Sequence, residues 1–207
     1  MTARRSEEQE RDDKTLHRYA ELQQSAERET ARLFRLHAAQ LSCRKGCSIC
    51  CDDISVLPIE RYALARWLRS NRHYLNPSLS PPLQGAHLEG ANRCPFLHRR
   101  DESCCIYPVR PLICRFHGLP IRYPVEEYDA LGVPVLGEPR EWSFAWCELN
   151  FPGIDSGQAQ SMFNSDAYID MERWNTALKK LNSTFLEGGE GDAYRDRMWR
   201  PLSALLH

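Results

Sequence analysis

From residue 6 to about 41 the chain holds no Gly or Pro and is rich in Glu, Arg, Gln, Ala and Leu, a composition that favours helix. Leu16, Tyr19, Ala26, Leu33 and Ala38 form a broken apolar stripe at helical spacing. The pattern predicts one long helix with a solvated face of mixed charge. No clean heptad persists, so a coiled coil is the lesser reading. The first dozen residues are nearly all polar and are expected to fray.

Further on, Ile54-Ser-Val-Leu57 suits a short strand, and Pro58 suits the first turn of a helix running to about Asn71. Leu64, Trp67 and Leu68 give that helix an apolar face. Residues 73–92, with Asn-Pro, Pro-Pro and two glycines, predict an irregular connection. Two short extended pieces are expected from Cys94 to Tyr107, joined by the polar turn His98 to Ser103. Pro108 or Pro111 then opens a helix through Phe116, ended by Gly118. Residues 119–157 are punctuated by Pro and Gly and predict little beyond short strands. Two more helices are expected, at about 166–187 and 192–206, parted by Gly188-Gly189-Glu190-Gly191. Trp142, Trp146, Trp174 and Trp199 suit a core better than a cofactor box.

At 207 residues and 42% hydrophobic, the chain suits one domain. The fold class expected is mostly α with short strands (α+β), a small single domain organised around a cysteine metal site. Within it, 1–41 is the N-terminal helix and 42–120 the cysteine-cluster core. Residues 121–207 supply an irregular segment and C-terminal helices packed on that core. Charge is almost balanced, 27 Lys and Arg against 28 Asp and Glu, so no basic field invites nucleic acid or an anionic membrane. The opening MTARRSEEQERDDK is followed by no apolar run, and none reaches the roughly 20 residues that span a bilayer. A cytoplasmic protein is expected.

Nine cysteines change the picture. In a cytosolic chain, clustered cysteines point to metal or redox chemistry rather than disulfides. Four lie between Cys43 and Cys51, four more between Cys94 and Cys114, and Cys147 stands apart. Cys43-x3-Cys47-x2-Cys50 puts three thiols on a tight loop, where Gly46 permits a sharp backbone. Thiolates are soft ligands that select zinc, copper(I) or iron–sulfur clusters. Converging thiolates would repel one another without a cation. Cys50 and Cys51 are neighbours, and in extended backbone their side chains diverge. Cys50 is therefore expected at one centre with Cys43 and Cys47. Cys51 is expected to face Cys94, Cys105 or Cys114, at a second centre or just outside the first. Of the pair Cys104 and Cys105, alternation turns only one inward, and Cys105 is the expected ligand. Cys114, on the next helical segment, would close over it.

Taken together, CRKGCSICC, CPFL and CIYPVRPLICRF resemble the bacterial cysteine-cluster proteins of the YkgJ type, described as zinc- or iron-chelating domains. The resemblance covers about residues 43–118. It implies metal ligation by Cys43, Cys47, Cys50, Cys51, Cys94, Cys105 and Cys114. Cys104 and Cys147 fall outside its motif, and Cys147 reads as a buried thiol. A related group resembles the flagellin lysine-N-methylases, whose cysteine motif is associated with an iron–sulfur cluster. Arg110 and Arg115 flank the closing cysteine, where a guanidinium would offset the negative charge of a thiolate centre and donate to sulfur. Tyr107 suits packing, and His117 suits an ordinary polar role.

The C-x3-C-x2-C spacing also occurs in radical S-adenosylmethionine enzymes, but their barrel of strand–helix units needs about 200 residues. No such repeat follows Cys43. No G-x-G-x-x-G, P-loop or serine nucleophile motif is present. The cofactor expected is an iron–sulfur cluster, [4Fe–4S] among the options, or zinc or iron ions. A redox partner or another protein partner goes with it. The alternatives are a zinc-stabilised interaction module without catalysis and an S-adenosylmethionine-linked protein methyltransferase.

Overall fold

A computed structural model describes residues 2–71, 93–98, 100–125, 141–195 and 200–205. The first helix, α1, spans Thr2–Leu36. Asp12, Thr15, Tyr19, Ala26, Thr30 and Leu33 are buried along it, returning every three, four or seven residues to one face. That face packs on the helices described below as α2, α3 and α5. The helix stops short of residue 41, and Ala38 is exposed beyond its end. The reason is tertiary. His37 is buried edge-on against Phe151 and Phe163, and its Nε2 meets the Ala167 carbonyl oxygen at 2.7 Å. A turn at 37–40 then delivers the chain to Cys43.

Ser55–Val56 forms β1, and Pro58–Ser70 forms α2 with proline in its first turn. Glu60 reaches back to accept from the Leu57 N–H at 3.1 Å, which satisfies an orphan donor of the helix start. Tyr107–Val109 is a short 3-10 turn, and Leu112–Phe116 is α3. Leu112 and Phe116, one turn apart, are 1% and 0% exposed. Burial of each such side chain contributes about 1.5–3 kcal/mol relative to exposure. Anchored by these two, α3 presents Cys114 from its other side. Gly118, at φ +93, ends this segment as the sequence predicts.

Ile121–Pro124 (β2) lies between Trp142–Ala145 (β3), antiparallel to it, and Ile169–Asp170 (β4), parallel to it. Ser156–Met162 is a helix, α4, that the sequence pattern does not show. The long C-terminal helix α5 spans Met171–Leu186 and so begins after residue 166. Asp170 sets its start by accepting from the N–H groups of Glu172 and Arg173. The helix expected over 192–206 is corrected by the structure. Asp192–Tyr194 and Leu202–Leu205 are 3-10 turns, and Arg200–Pro201 is strand β5, paired antiparallel with β1. Its partner strand and Pro201 together explain this, since proline has no N–H to continue a helix. The connection over 73–92 and Trp199 lie outside the described residues.

The chain is mostly α with short strands, as expected. Among the described residues, three apolar clusters hold it. The first joins α1, α2, α3 and α5 through Tyr19, Leu33, Ile59, Phe116 and Phe185. The second gathers Val56, Leu64, Phe96, Ile106 and Leu202. The third is aromatic, built on Phe151 and Phe163 with Phe144 and Trp146 beside them. Of the tryptophans, Trp174 packs on Phe116 and Trp146 on Phe163, while Trp142 stacks under the Arg122 guanidinium at 4.0 Å. Among the described residues no helix is long and apolar enough to cross a membrane.

Candidate metal centre

Two successive turns shape the first thiol loop. The Cys47 N–H donates to the Arg44 carbonyl at 3.0 Å, and the Cys51 N–H donates to that of Ser48 at 2.9 Å. Gly46 takes φ +84 inside the first turn, and a Cβ there would stand 2.8 Å from the Asp101 carbonyl oxygen. Buried Ser48 pins the loop to the next segment. It bonds Glu102, and it accepts from Arg93 Nη2 at 2.7 Å while Arg93 also pairs with Glu102 at 3.0 Å. The Cys94 N–H donates to the Cys51 carbonyl at 3.0 Å, laying the second cysteine segment along the first.

Cys43, Cys47, Cys50, Cys51, Cys94, Cys104, Cys114 and Cys147 line one cavity of about 620 Å³. Eight of the nine cysteines thus share it, and all nine are free, half-buried thiols. Phe34 from the first apolar cluster and Ile106 and Leu202 from the second complete its apolar wall. The ninth thiol, Cys105, does not line it. Leu97 pairs with Cys104 across an antiparallel bridge, and the Cys105 N–H donates to the Phe96 carbonyl at 2.9 Å. That register puts Cys104 on the cavity wall, where the sequence pattern favours Cys105. Cys147, outside the motif, is on the wall as well.

The thiols sense one another in two neighbourhoods. Burial pushes Cys43 up, an Asn150 hydrogen bond pulls the other way, and the charges of Cys147, Cys50 and Cys47 push it up further. Burial raises Cys147 too, with Cys50 and Cys47 adding to it. Cys50 is pushed up to about 12, first by its hydrogen bond with Cys51, with a His117 hydrogen bond opposing. On the other side, burial pushes Cys94 up to about 12, with Cys104 adding to it. Burial likewise holds Cys114 far above the ordinary thiol range, with Cys94 and Cys104 contributing.

The two arginines diverge. Arg110 lines the cavity, stacks over the Tyr107 ring at 3.9 Å and donates to the Cys114 carbonyl at 3.3 Å, and its buried Nε has no hydrogen-bond partner. Arg115 is spent elsewhere. It is 6% exposed, pairs with Glu27 of α1 at 2.7 Å and donates to the Arg110 and Pro108 carbonyls. His117 and Tyr107 line the cavity; His98 instead pairs with Asp101 at 2.9 Å.

The donor set fits a thiophilic cation: soft sulfur, crowded and half-desolvated, with an unpartnered guanidinium nitrogen beside it. Among the described residues, no group of three or more His, Cys, Asp or Glu side chains stands arranged to hold an ion. The sulfurs ring the cavity instead of meeting at a point, and rotation about χ1 is the freedom that would draw them in.

Fold and cavity together define a small helical protein wrapped round a pocket of thiols. Residues 42–134 match the CxxCxxCC family, described as a putative zinc- or iron-chelating domain. Comparison with curated proteins and with solved structures found no match.

Proposed function

We propose that this chain binds zinc or iron through cysteine thiolates in the cavity, as a polynuclear centre, and that the centre is an iron–sulfur cluster with a redox role. One observation carries this reading: eight thiols share one cavity, twice the four that a structural zinc site uses. The match to a zinc- or iron-chelating domain supports the metal itself. Cys43, Cys47, Cys50, Cys51, Cys94 and Cys114 remain the proposed ligands, and Cys104 takes the place expected of Cys105. A bound cluster would supply one-electron chemistry; the protein's part is to hold the sulfurs, exclude water and tune charge. Arg110 is placed for that last role, since its buried Nε is free to donate. Free thiols on this scale suit a reducing cytoplasm, and Tyr107, 56% exposed at the cavity wall, offers a place for a redox partner to approach.

Anaerobic purification followed by iron, zinc and acid-labile sulfide analysis tests the reading. Brown protein with iron and sulfide in comparable amounts is the expected result. Colourless protein with zinc alone would replace the cluster by a zinc-stabilised module. Protein that takes up neither metal under reducing conditions would end the metal reading.

A further inference from the structure

The motif supplies three thiols, Cys43, Cys47 and Cys50, to one end of the cavity. A tetrahedral zinc site or a four-cysteine cluster takes a fourth. The Cys51 carbonyl accepts from the Cys94 N–H, which ties its backbone to the Cys94 segment, while its thiol meets that of Cys50, where extended backbone would turn the two apart.

Cys147 stands beyond residues 42–134, the stretch that matches the chelating domain. The structure nevertheless brings it to Cys43. The chain over 147–151 lies along residues 40–43, held by hydrogen bonds from both sides. The Phe151 N–H donates to the Gln40 carbonyl at 2.9 Å, and the Ser42 hydroxyl to that of Leu149 at 2.9 Å. Asn150 is 1% exposed and ties the two strands of chain at their centre. Its Oδ1 accepts from the Ser42 N–H at 2.8 Å, and its Nδ2 donates to Cys43 Sγ at 3.3 Å. Its own N–H donates to the Cys147 carbonyl at 2.8 Å, closing the turn that carries the thiol. Cys147 then lines the cavity together with Cys43, Cys47 and Cys50. Its neighbour Trp146 packs into the third apolar cluster, so the turn is anchored on its far side as well. A thiol serving only as a small core residue would sit within that cluster rather than on the wall of a cysteine cavity.

We infer that Cys147 is the fourth thiolate of a centre formed with Cys43, Cys47 and Cys50, which makes the segment after the chelating domain part of the metal site. The inference rests on the metal reading given above. Binding of a divalent ion at this centre converts four thiols to four thiolates and releases their protons to the buffer. No electrons move, and the oxidation state of the ion is unchanged.

Cobalt(II) added to the reduced, chelator-stripped full chain is the probe, because its thiolate charge-transfer band grows with each sulfur bound. The parent is compared with Cys147→Ser and with Cys105→Ser, whose thiol is off the cavity wall. Cys147→Ser is expected to show a weaker charge-transfer band and cobalt affinity reduced at least about tenfold, the lower end of what loss of even an indirect partner of a metal costs. Cys105→Ser is expected to match the parent. A Cys147→Ser protein with the parent's band, stoichiometry and affinity overturns the inference and leaves the metal reading standing. A parent that binds no cobalt overturns the inference of a four-thiolate centre for a divalent ion, while the metal reading itself stands or falls by the iron and zinc analysis above. Should Cys147→Ser fail to fold, the parent alone decides the matter by thiol alkylation read by peptide mass spectrometry. Cys147 is expected to be protected by cobalt relative to Cys105, and equal labelling of Cys147 with and without cobalt overturns the inference.

Discussion

Asn150 donates from Nδ2 to Cys43 Sγ at 3.3 Å, from a site almost sealed from water. The same nitrogen donates to the Gly118 carbonyl at 2.6 Å, and Oδ1 accepts from the Ser42 N–H. One side chain therefore links the start of the thiol loop, the end of α3 and the turn carrying Cys147. Asn150→Ala leaves buried partners unmatched, and each costs about 1–3 kcal/mol. A total loss of about 2–4 kcal/mol is expected. Asn150→Asp keeps the shape but turns a donor into an acceptor facing sulfur and a carbonyl, so it should bind metal more weakly than parent. Urea denaturation with metal titration of both variants measures this. Parental stability in Asn150→Ala would show that the link is idle.

Gly118 reports on crowding around the same sulfur. A Cβ at this position would stand 2.9 Å from Cys43 Sγ, and its φ of +93 already disfavours a side chain. Gly153 is the natural control, with φ +85 and nothing within 4 Å of its would-be Cβ. Alanine at either position should cost about 1–3 kcal/mol through backbone strain. Only Gly118→Ala should also displace Cys43 and lower the metal content per chain. Equal metal in the two variants would mean that the contact relaxes without consequence.

Much of this arrangement was legible from local sequence. The long α1, the proline start of α2, the glycine stop after α3 and the thiol loop around Gly46 all rest on short-range rules, and those hold. What was illegible is non-local. Nothing in Cys104-Cys105 says which one faces the cavity; the pairing of Leu97 with Cys104 decides it. Nothing near Cys147 says that Asn150 will reach Ser42 and Cys43. Residues 200–201 looked helical because their strand partner, Ser55–Val56, is far away in sequence. Arg110 and Arg115 looked alike beside Cys114, but Glu27 on α1 claims only Arg115. The start of α5 was within reach, since Asp170 ahead of Met-Glu-Arg-Trp is a recognisable cap.

Glu60 couples α2 to the cysteine helix. It is 4% exposed, and its Oε1 accepts from the Leu112 N–H at 2.9 Å while Oε2 serves Leu57. Leu112 opens α3, so this carboxyl fixes the helix that presents Cys114. Glu60→Gln can accept at only one of the two N–H groups and turns an N–H toward the other. A loss of about 2–4 kcal/mol is expected from the unmatched donor and the clash. Hydrogen exchange should quicken at residues 112–116 more than in α5. Uniform quickening across the chain would assign the effect to global stability instead.

Metal and pH should act in opposite senses on this protein. A hydrogen bond with Cys51, and then burial, raise Cys50 from 9.0 to about 12, and burial raises Cys94 to the same level. Between those values the folded, metal-free chain holds protons that the unfolded chain has lost. Its stability is therefore full below pH 9 and falls as pH rises toward 12. A bound cation reverses the preference, because ligation needs thiolates and expels their protons. Metal affinity should accordingly climb from pH 6 to pH 8, with measurable proton release in weak buffer. Urea midpoints of reduced protein, with and without zinc, across pH 6 to 10.5 test both limbs. Lysines and tyrosines also titrate near the upper end, so Cys50→Ser serves as reference: without metal, the parent should lose stability more steeply than this variant above pH 9. Identical slopes for the two would show that the Cys50 thiol carries no such burden. A zinc affinity independent of pH would show that thiols are not the ligands.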